Sequence, residues 1–157
     1  MYIPWSRYLN SFIDVPLMKQ RLIPWLASQS NLTGWLYWYI NYGWVTTEPS
    51  FKNLPLEPLE QNTGYTDFNV TVANGDFWTN GDGNWMYPGA YGPLSSLRLE
   101  AYRRGLEDRA VLALLGAKQR AELAARMVRG PSNWTIDAVL MEKTRRDAAA
   151  LIGTKKC

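Results

Sequence analysis

The chain has 157 residues, of which 46% are apolar and 20% charged, and its formal net charge at neutral pH is +3. That length and balance are typical of one globular domain and exclude an intrinsically disordered chain. Because the sequence contains no histidine, it excludes a Ser-His-Asp triad, a Cys-His dyad and a His-bearing zinc site within these residues. Any chemistry would have to use carboxylate, tyrosine, lysine or arginine side chains, and we expect no metal and no cofactor.

A single cysteine, Cys157, excludes an internal disulfide. No segment reaches the roughly 18 consecutive apolar residues that a membrane-spanning helix needs. The most aromatic run is interrupted by Asn41 and Gly43. We therefore expect no membrane span.

Most arginines lie between residues 98 and 129, where acidic residues alternate with them. Glu100 and Arg104 form an i,i+4 pair, and so do Arg104 and Asp108. Such alternation is typical of a solvated helix face rather than of a phosphate-binding surface. We therefore expect no nucleic-acid partner.

The first predicted element is a helix that begins at Asp14 and ends between Ser28 and Asn31. Asp14 is the expected N-cap residue, and Pro16 stands in the first turn. Apolar residues then recur at a spacing of three to four, as on the buried face of a helix.

Residues 34–44, GWLYWYINYGW, contain three Trp and three Tyr. The run from Trp35 to Asn41 predicts a strand with bulky residues on both faces, which is typical of a strand buried in a parallel sheet. For Trp35 and Tyr37 the pattern favours a place in the core. A helix, a short turn and a buried strand together form half of a β/α repeat.

Between residues 45 and 91 turn-forming residues dominate, and aromatic residues are interspersed among them, as in NGDFWTNGDGNWMYPG. So long a loop in a compact domain is usually functional. An amphipathic helix follows with the sequence LRLEAYRRGLEDRAVLALL, in which Gly105 indicates close packing. Two further helices are predicted near residues 117–129 and 134–151, separated by Gly-Pro-Ser.

With these elements in place, the chain resembles the C-terminal part of the glycoside hydrolase 123 catalytic domain and its related domain of unassigned function. Four segments carry the resemblance: RYLNSFIDVPLMKQRLIPWLA (7–27), GWLYWYINYGW (34–44), NGDGNWMYPG (80–89) and GPLSSLRLEAYRRGLEDRAVLALL (92–115). The resemblance implies an α/β fold, the C-terminal portion of a (β/α)8 TIM barrel. It is helix-rich, with a long aromatic and Gly-rich loop and extra C-terminal helices.

Within that barrel, the resemblance implies a late helix over residues 12–30, a final strand over 34–41 and a closing helix over 96–115. Residues 1–116 would then belong to the barrel domain, and residues 117–157 would form a helical C-terminal extension. The aromatic and Gly-Asp loops would lie at the C-terminal mouth of the strands, where barrel enzymes keep their sites.

The family is associated with β-N-acetylgalactosaminidase activity, in which the 2-acetamido group of the substrate attacks its own anomeric carbon. An adjacent Asp-Glu pair orients that group and protonates the leaving oxygen. No Asp-Glu dipeptide occurs in this sequence. We therefore expect a C-terminal segment that lacks the catalytic pair, is inactive alone and has the upstream remainder of the barrel as its partner. The chain also departs from the family at two places. It has Tyr39 where the family commonly has Gly, and Arg109-Ala110 where the family usually has Tyr-Glu.

Aromatic side chains beside polar ones suit an N-acetylhexosamine glycan, because a sugar ring has a flat C–H face while its hydroxyls need hydrogen-bond partners. This combination occurs twice, at the end of the predicted strand and in the Gly-rich loop. The predicted substrate-binding residues are Trp38, Asn41, Trp44, Asp82, Trp85 and Tyr87. Core packing remains an alternative for the first three residues, and a plain turn remains one for Asp82.

Three Asn-X-Ser/Thr acceptors, at Asn31, Asn69 and Asn133, are candidate glycosylation sites and favour a secretory route. Two alternatives to a hydrolase remain open at this point. One is a non-catalytic carbohydrate-binding relative, and the other is a purely structural helical domain whose aromatic residues are all core.

Overall fold

The computed structural model describes residues 7–13, 15–41, 83, 85–87 and 91–154. These residues form a helix-rich α/β fold with two small antiparallel sheets. In chain order the elements are α1 (Leu17–Gln29), β1 (Met86–Tyr87), β2 (Leu94–Ser95), α2 (Leu97–Ala113), α3 (Ala117–Ala124), β3 (Val128–Gly130), β4 (Asn133–Trp134) and α4 (Ala138–Gly153). None of the helices among these residues is long and apolar enough to cross a membrane.

The chain divides into two compact units. The described residues of the first, which we call the helical unit, are 7–10, 16–35 and 101–154. Those of the second, the aromatic unit, are 11–13, 15, 36–41, 83, 85–87 and 91–100.

Helix α1 begins later than the sequence predicts. Its N-cap residue is Pro16, so the prediction of an Asp14 cap was wrong, and Asp14 itself lies outside the described residues. The carbonyl oxygen of Pro16 accepts a hydrogen bond from the Lys19 backbone N–H at 2.9 Å. Because a residue that precedes proline is disfavoured in helical conformation, Val15 stays outside the helix.

The core of the helical unit is a single apolar cluster between α1, the end of α2, α3, β3 and α4. Its buried residues are Leu22, Trp25, Leu112, Leu115, Leu123, Ala124, Met127, Val128, Met141 and Ala148. Burial of each large apolar side chain contributes about 1.5–3 kcal/mol relative to leaving it exposed. Residues before and after position 116 share this cluster, and the division of the chain at that position stays a prediction.

The predicted helix over 117–129 ends early, and a hairpin follows it. Helix α3 stops at Ala124, where Met127 N donates to Ala124 O at 3.0 Å in a tighter turn. Strand β3 then pairs antiparallel with β4. The predicted separation at Gly-Pro-Ser is the region of the hairpin turn, and α4 begins after Asp137, whose carboxylate accepts from Leu140 N.

Helix α2 confirms the predicted helix that follows the long loop. Ser96 precedes it, and its hydroxyl oxygen accepts a hydrogen bond from Leu99 N at 3.1 Å, as an N-cap side chain does. In the aromatic unit, β1 and β2 pair with Met86 opposite Ser95 and Tyr87 opposite Leu94.

The predicted buried strand at residues 34–41 was wrong. These residues have irregular backbone with one bridge position at Asn41, and Leu36 is 84% exposed. A strand requires a neighbouring strand along its length. The backbone N–H groups of Trp85 and Met86 donate to this segment near its end, at the Ile40 carbonyl oxygen. Both sheets within the described residues are antiparallel, and the barrel assignment stays a prediction.

Candidate functional site

Two of the segments that the sequence predicts to bind sugar are adjacent in the aromatic unit. The backbone N–H groups of Trp85 and Met86 donate to the carbonyl oxygen of Ile40, at 2.8 and 3.0 Å. These bonds bring the segment that contains Trp38 and Asn41 beside β1. The other predicted residues of these segments, Trp44 and Asp82, lie outside the described residues.

The interior of this arrangement is a stacked aromatic pair. The rings of Tyr37 and Trp85 lie 4.4 Å apart between centroids, with an interplanar angle of 18°. The hydroxyl oxygen of Tyr37 accepts a hydrogen bond from the backbone N–H of Gly83 at 2.7 Å. Trp85 is only 3% exposed, so its ring packs in the interior and offers no open face to a sugar.

Two other aromatic side chains of the unit are open to solvent. Trp38 is 47% exposed and Tyr39 48% exposed, and their ring centroids lie 5.7 Å apart at an angle of 59°. Asn41, which is half-buried, follows them in the chain. We call Trp38, Tyr39 and Asn41 the aromatic surface.

Tyr87 is held by a buried arginine. Arg98, which is 5% exposed, donates to the Tyr87 hydroxyl oxygen at 3.0 Å and to the backbone carbonyl of Ser11 at 2.7 Å. The sequence did not predict the contact of Arg98 with Tyr87, because no spacing rule connects a residue of α2 with a residue of β1 eleven positions earlier.

Trp35 differs from its predicted place in the core. It is 41% exposed and belongs to the helical unit, where its ring lies 5.5 Å from that of Tyr102. Burial raises the pKa of the Tyr102 hydroxyl. Trp35 is therefore not part of the aromatic surface.

The glycosylation candidates within the described residues are both exposed. Asn31 has a positive φ of 52°, and its side-chain oxygen accepts from Arg120 at 2.8 Å. Asn133 begins the short strand β4. Asn69 lies outside the described residues, and all three sites stay predictions.

A second polar cluster lies in the helical unit, around Asp108. This carboxylate, 2% exposed, accepts from Arg21 Nε and Arg145 Nε at 2.8 Å each and from Trp25 Nε1 at 3.0 Å. The hydrogen bond to Asp108 raises the pKa of Arg21. A pocket of about 240 Å³ opens beside the cluster. Because donors occupy both carboxylate oxygens, Asp108 is suited to holding helices together rather than to giving a proton to a substrate.

A comparison with protein families identifies the chain more directly. The model described as the glycoside hydrolase 123 catalytic domain matches residues 1–115. The chain belongs to the glycoside hydrolase 123 family. A search among curated proteins found no match. The family match includes the aromatic unit and ends just after α2, so α3, the β3–β4 hairpin and α4 of this glycoside hydrolase 123 chain lie outside it.

Proposed function

We propose that this chain supplies part of the sugar-binding surface of a (β/α)8 glycoside hydrolase that acts on N-acetylhexosaminide glycans, specifically β-N-acetylgalactosaminides. The observation that carries the proposal is the pair of hydrogen bonds from Trp85 and Met86 to Ile40. They join two segments whose aromatic and amide residues were separately predicted to contact sugar.

The aromatic surface suits the chemistry of a sugar ring. Trp38 and Tyr39 are each about half exposed, and the exposed part of an aromatic ring can pack against the C–H side of a sugar. The Asn41 amide can both donate to and accept from hydroxyl groups. This exposure also favours sugar binding over the alternative of a structural domain in which every aromatic residue is core. Tyr39, at a position where the family commonly has Gly, would narrow the mouth of the pocket.

In the family's reaction, the acetamido group of the sugar forms the bond to the anomeric carbon, and carboxylates orient it and protonate the leaving oxygen. The carboxylate pair would come from outside these 157 residues, because they contain no Asp-Glu dipeptide. The role left to this chain is to hold the sugar while that chemistry proceeds. Alone, it would bind the sugar without hydrolysing it.

Titration of the full 157-residue chain with N-acetylgalactosamine, followed by Trp fluorescence and calorimetry, tests the binding step. We expect Trp38→Ala to weaken binding about tenfold, since one buried aromatic contact in a binding site is worth about 1.4 kcal/mol. Trp35→Ala is the matched control, because Trp35 is similarly exposed but lies in the helical unit. Absence of saturable binding, or an equal loss in both variants, contradicts the proposal.

Hydrolysis separates the enzyme from a binding-only relative. The chain alone should leave an aryl β-N-acetylgalactosaminide intact, and turnover by it would contradict the assignment of the acid groups. Intact mass and N-terminal sequencing of the native protein then decide between a hydrolase and a binding-only relative. An upstream segment with an adjacent Asp-Glu pair supports the hydrolase, whereas a native protein without one supports the binding-only relative.

A further inference from the structure

We propose that Arg98 is a positioning residue, whose guanidinium turns the Tyr87 hydroxyl so that its proton is donated to an acceptor oxygen of the bound sugar. This inference rests on the proposed function, since it concerns the same sugar site. It assigns a specific polar contact to Tyr87 and gives the buried Arg98 a role in ligand selection that its sequence position did not suggest.

The direction of the hydrogen bond carries the first step. A guanidinium has five N–H donors and no acceptor, so in its 3.0 Å contact with Arg98 the Tyr87 oxygen must be the acceptor. The hydroxyl proton therefore points away from Arg98. Within the part of the chain that the structure describes, no residue accepts that proton. A half-buried hydroxyl in this state is ready to donate to an incoming oxygen.

The rigidity of Arg98 carries the second step. The side chain is 5% exposed, and its second donor is fixed to the carbonyl of Ser11 at 2.7 Å. Because two acceptors on different segments hold one planar group, the guanidinium has little freedom to release Tyr87. A charged donor also polarises the hydroxyl that it contacts, which strengthens the next hydrogen bond in the chain.

The location of Tyr87 carries the third step. It is the second residue of β1, and Met86, the first, donates through its backbone to Ile40 at the end of the exposed aromatic segment. A hydroxyl donor in the same unit as the exposed side chains of Trp38 and Tyr39 suits a neutral ligand with carbonyl or hydroxyl oxygens. That is the chemistry of an N-acetylated sugar.

A double-mutant cycle on the full chain tests the inference, with N-acetylgalactosamine affinity measured by calorimetry. Tyr87→Phe removes only the hydroxyl and should weaken binding about three- to tenfold. Arg98→Lys keeps the charge but loses the fork, and should weaken binding to a similar extent. In the Tyr87→Phe background, Arg98→Lys should cause no further loss, because its effect passes through the hydroxyl. Tyr91→Phe, whose ring is fully exposed in the same unit, is the control and should bind as the unmodified chain does.

The outcomes separate this inference from the proposed function. If the losses of affinity in Tyr87→Phe and Arg98→Lys multiply in the double variant, Arg98 acts only through stability and the positioning role is overturned. If Trp38→Ala weakens binding while Tyr87→Phe does not, the inference fails and the proposed function stands. Absence of binding by the unmodified chain overturns both. Should Arg98→Lys not give a cooperative melt, Arg98→Gln replaces it in the cycle, and the affinity of Tyr87→Phe still decides whether the hydroxyl contributes.

Discussion

At the scale of single residues, Asp108 has a different place from the one its neighbours in sequence indicate. Its spacing from Arg104 suggests a solvated pair on one helix face, yet Arg104 pairs with Glu107 and Asp108 is buried. Its partners, Arg21 and Arg145, lie 87 and 37 positions away in the chain. Helical spacing cannot distinguish a solvated ion pair from a buried one. It shows which residues share a helix face, but not whether another element covers that face.

Replacing this carboxylate tests how much the buried cluster contributes to stability. We expect Asp108→Asn to lower the free energy of unfolding by about 2–3 kcal/mol, less than a fully buried pair would lose, because Arg145 is 41% exposed. Urea denaturation measures the difference. Glu107→Gln is the control, since that carboxylate is 46% exposed and should cost at most about 0.5 kcal/mol. Equal stabilities for the two variants would show that Asp108 has no special role.

At the scale of elements, the approach of α1 to α2 depends on a glycine. A Cβ atom built on Gly105 would lie 2.3 Å from the Arg21 carbonyl oxygen and 3.0 Å from the Pro24 ring. Backbone atoms cannot yield as a flexible side chain does, so the two helices would have to move apart. The sequence indicated close packing at this position, and the structure identifies the surface that packs there.

Gly105→Ala should therefore destabilise the chain, although alanine is the better helix former by about 1 kcal/mol. We expect a net loss of about 1–3 kcal/mol, the usual cost of overpacking, which thermal or urea unfolding would detect. Gly153→Ala is the matched control in helix α4, because nothing lies within 4 Å of its added Cβ. That variant should be neutral or slightly more stable. A stabilised Gly105→Ala chain would refute the close approach of the helices.

The sequence predicted the helices better than the strands, because helices depend more on local interactions. A helix is held by backbone hydrogen bonds between residues four apart. The spacing of apolar residues therefore predicted both ends of α2 to within two residues. A strand needs partners that local sequence does not specify, and residues 34–41 have the composition of a strand without forming one. The β3–β4 hairpin was missed for the same reason. In the candidate site, the segments could be predicted, but the contact of Arg98 with Tyr87 could not.

At the scale of the whole molecule, the family match ends before the last residues of the apolar cluster. The match stops at residue 115, whereas the apolar cluster continues through Leu123, Met127 and Met141. Trp25, inside the matched region, shares this cluster with those residues. The helices beyond the match therefore help to bury the apolar surface of α1 and of the end of α2.

The exposed apolar segment at residues 36–40 has a consequence for the behaviour of the chain in solution. Leu36 is 84% exposed, and Trp38, Tyr39 and Ile40 are each more than 40% exposed. Several exposed apolar residues within one short segment favour association, because contact between copies removes them from water. We expect the full chain to self-associate with rising concentration, as measured by sedimentation velocity, and Leu36→Lys to shift the association to concentrations at least about tenfold higher.

Val139→Lys is the matched control for this prediction, because Val139 is 78% exposed but belongs to the helical unit, at the start of α4. It should leave the association unchanged, and an equal shift would mean that added charge alone prevents contact. The sugar provides an independent comparison. If N-acetylgalactosamine lies on Trp38, a saturating concentration should weaken self-association, because sugar and a second copy would compete for the same ring. Sugar binding with no effect on association would place the sugar away from this segment.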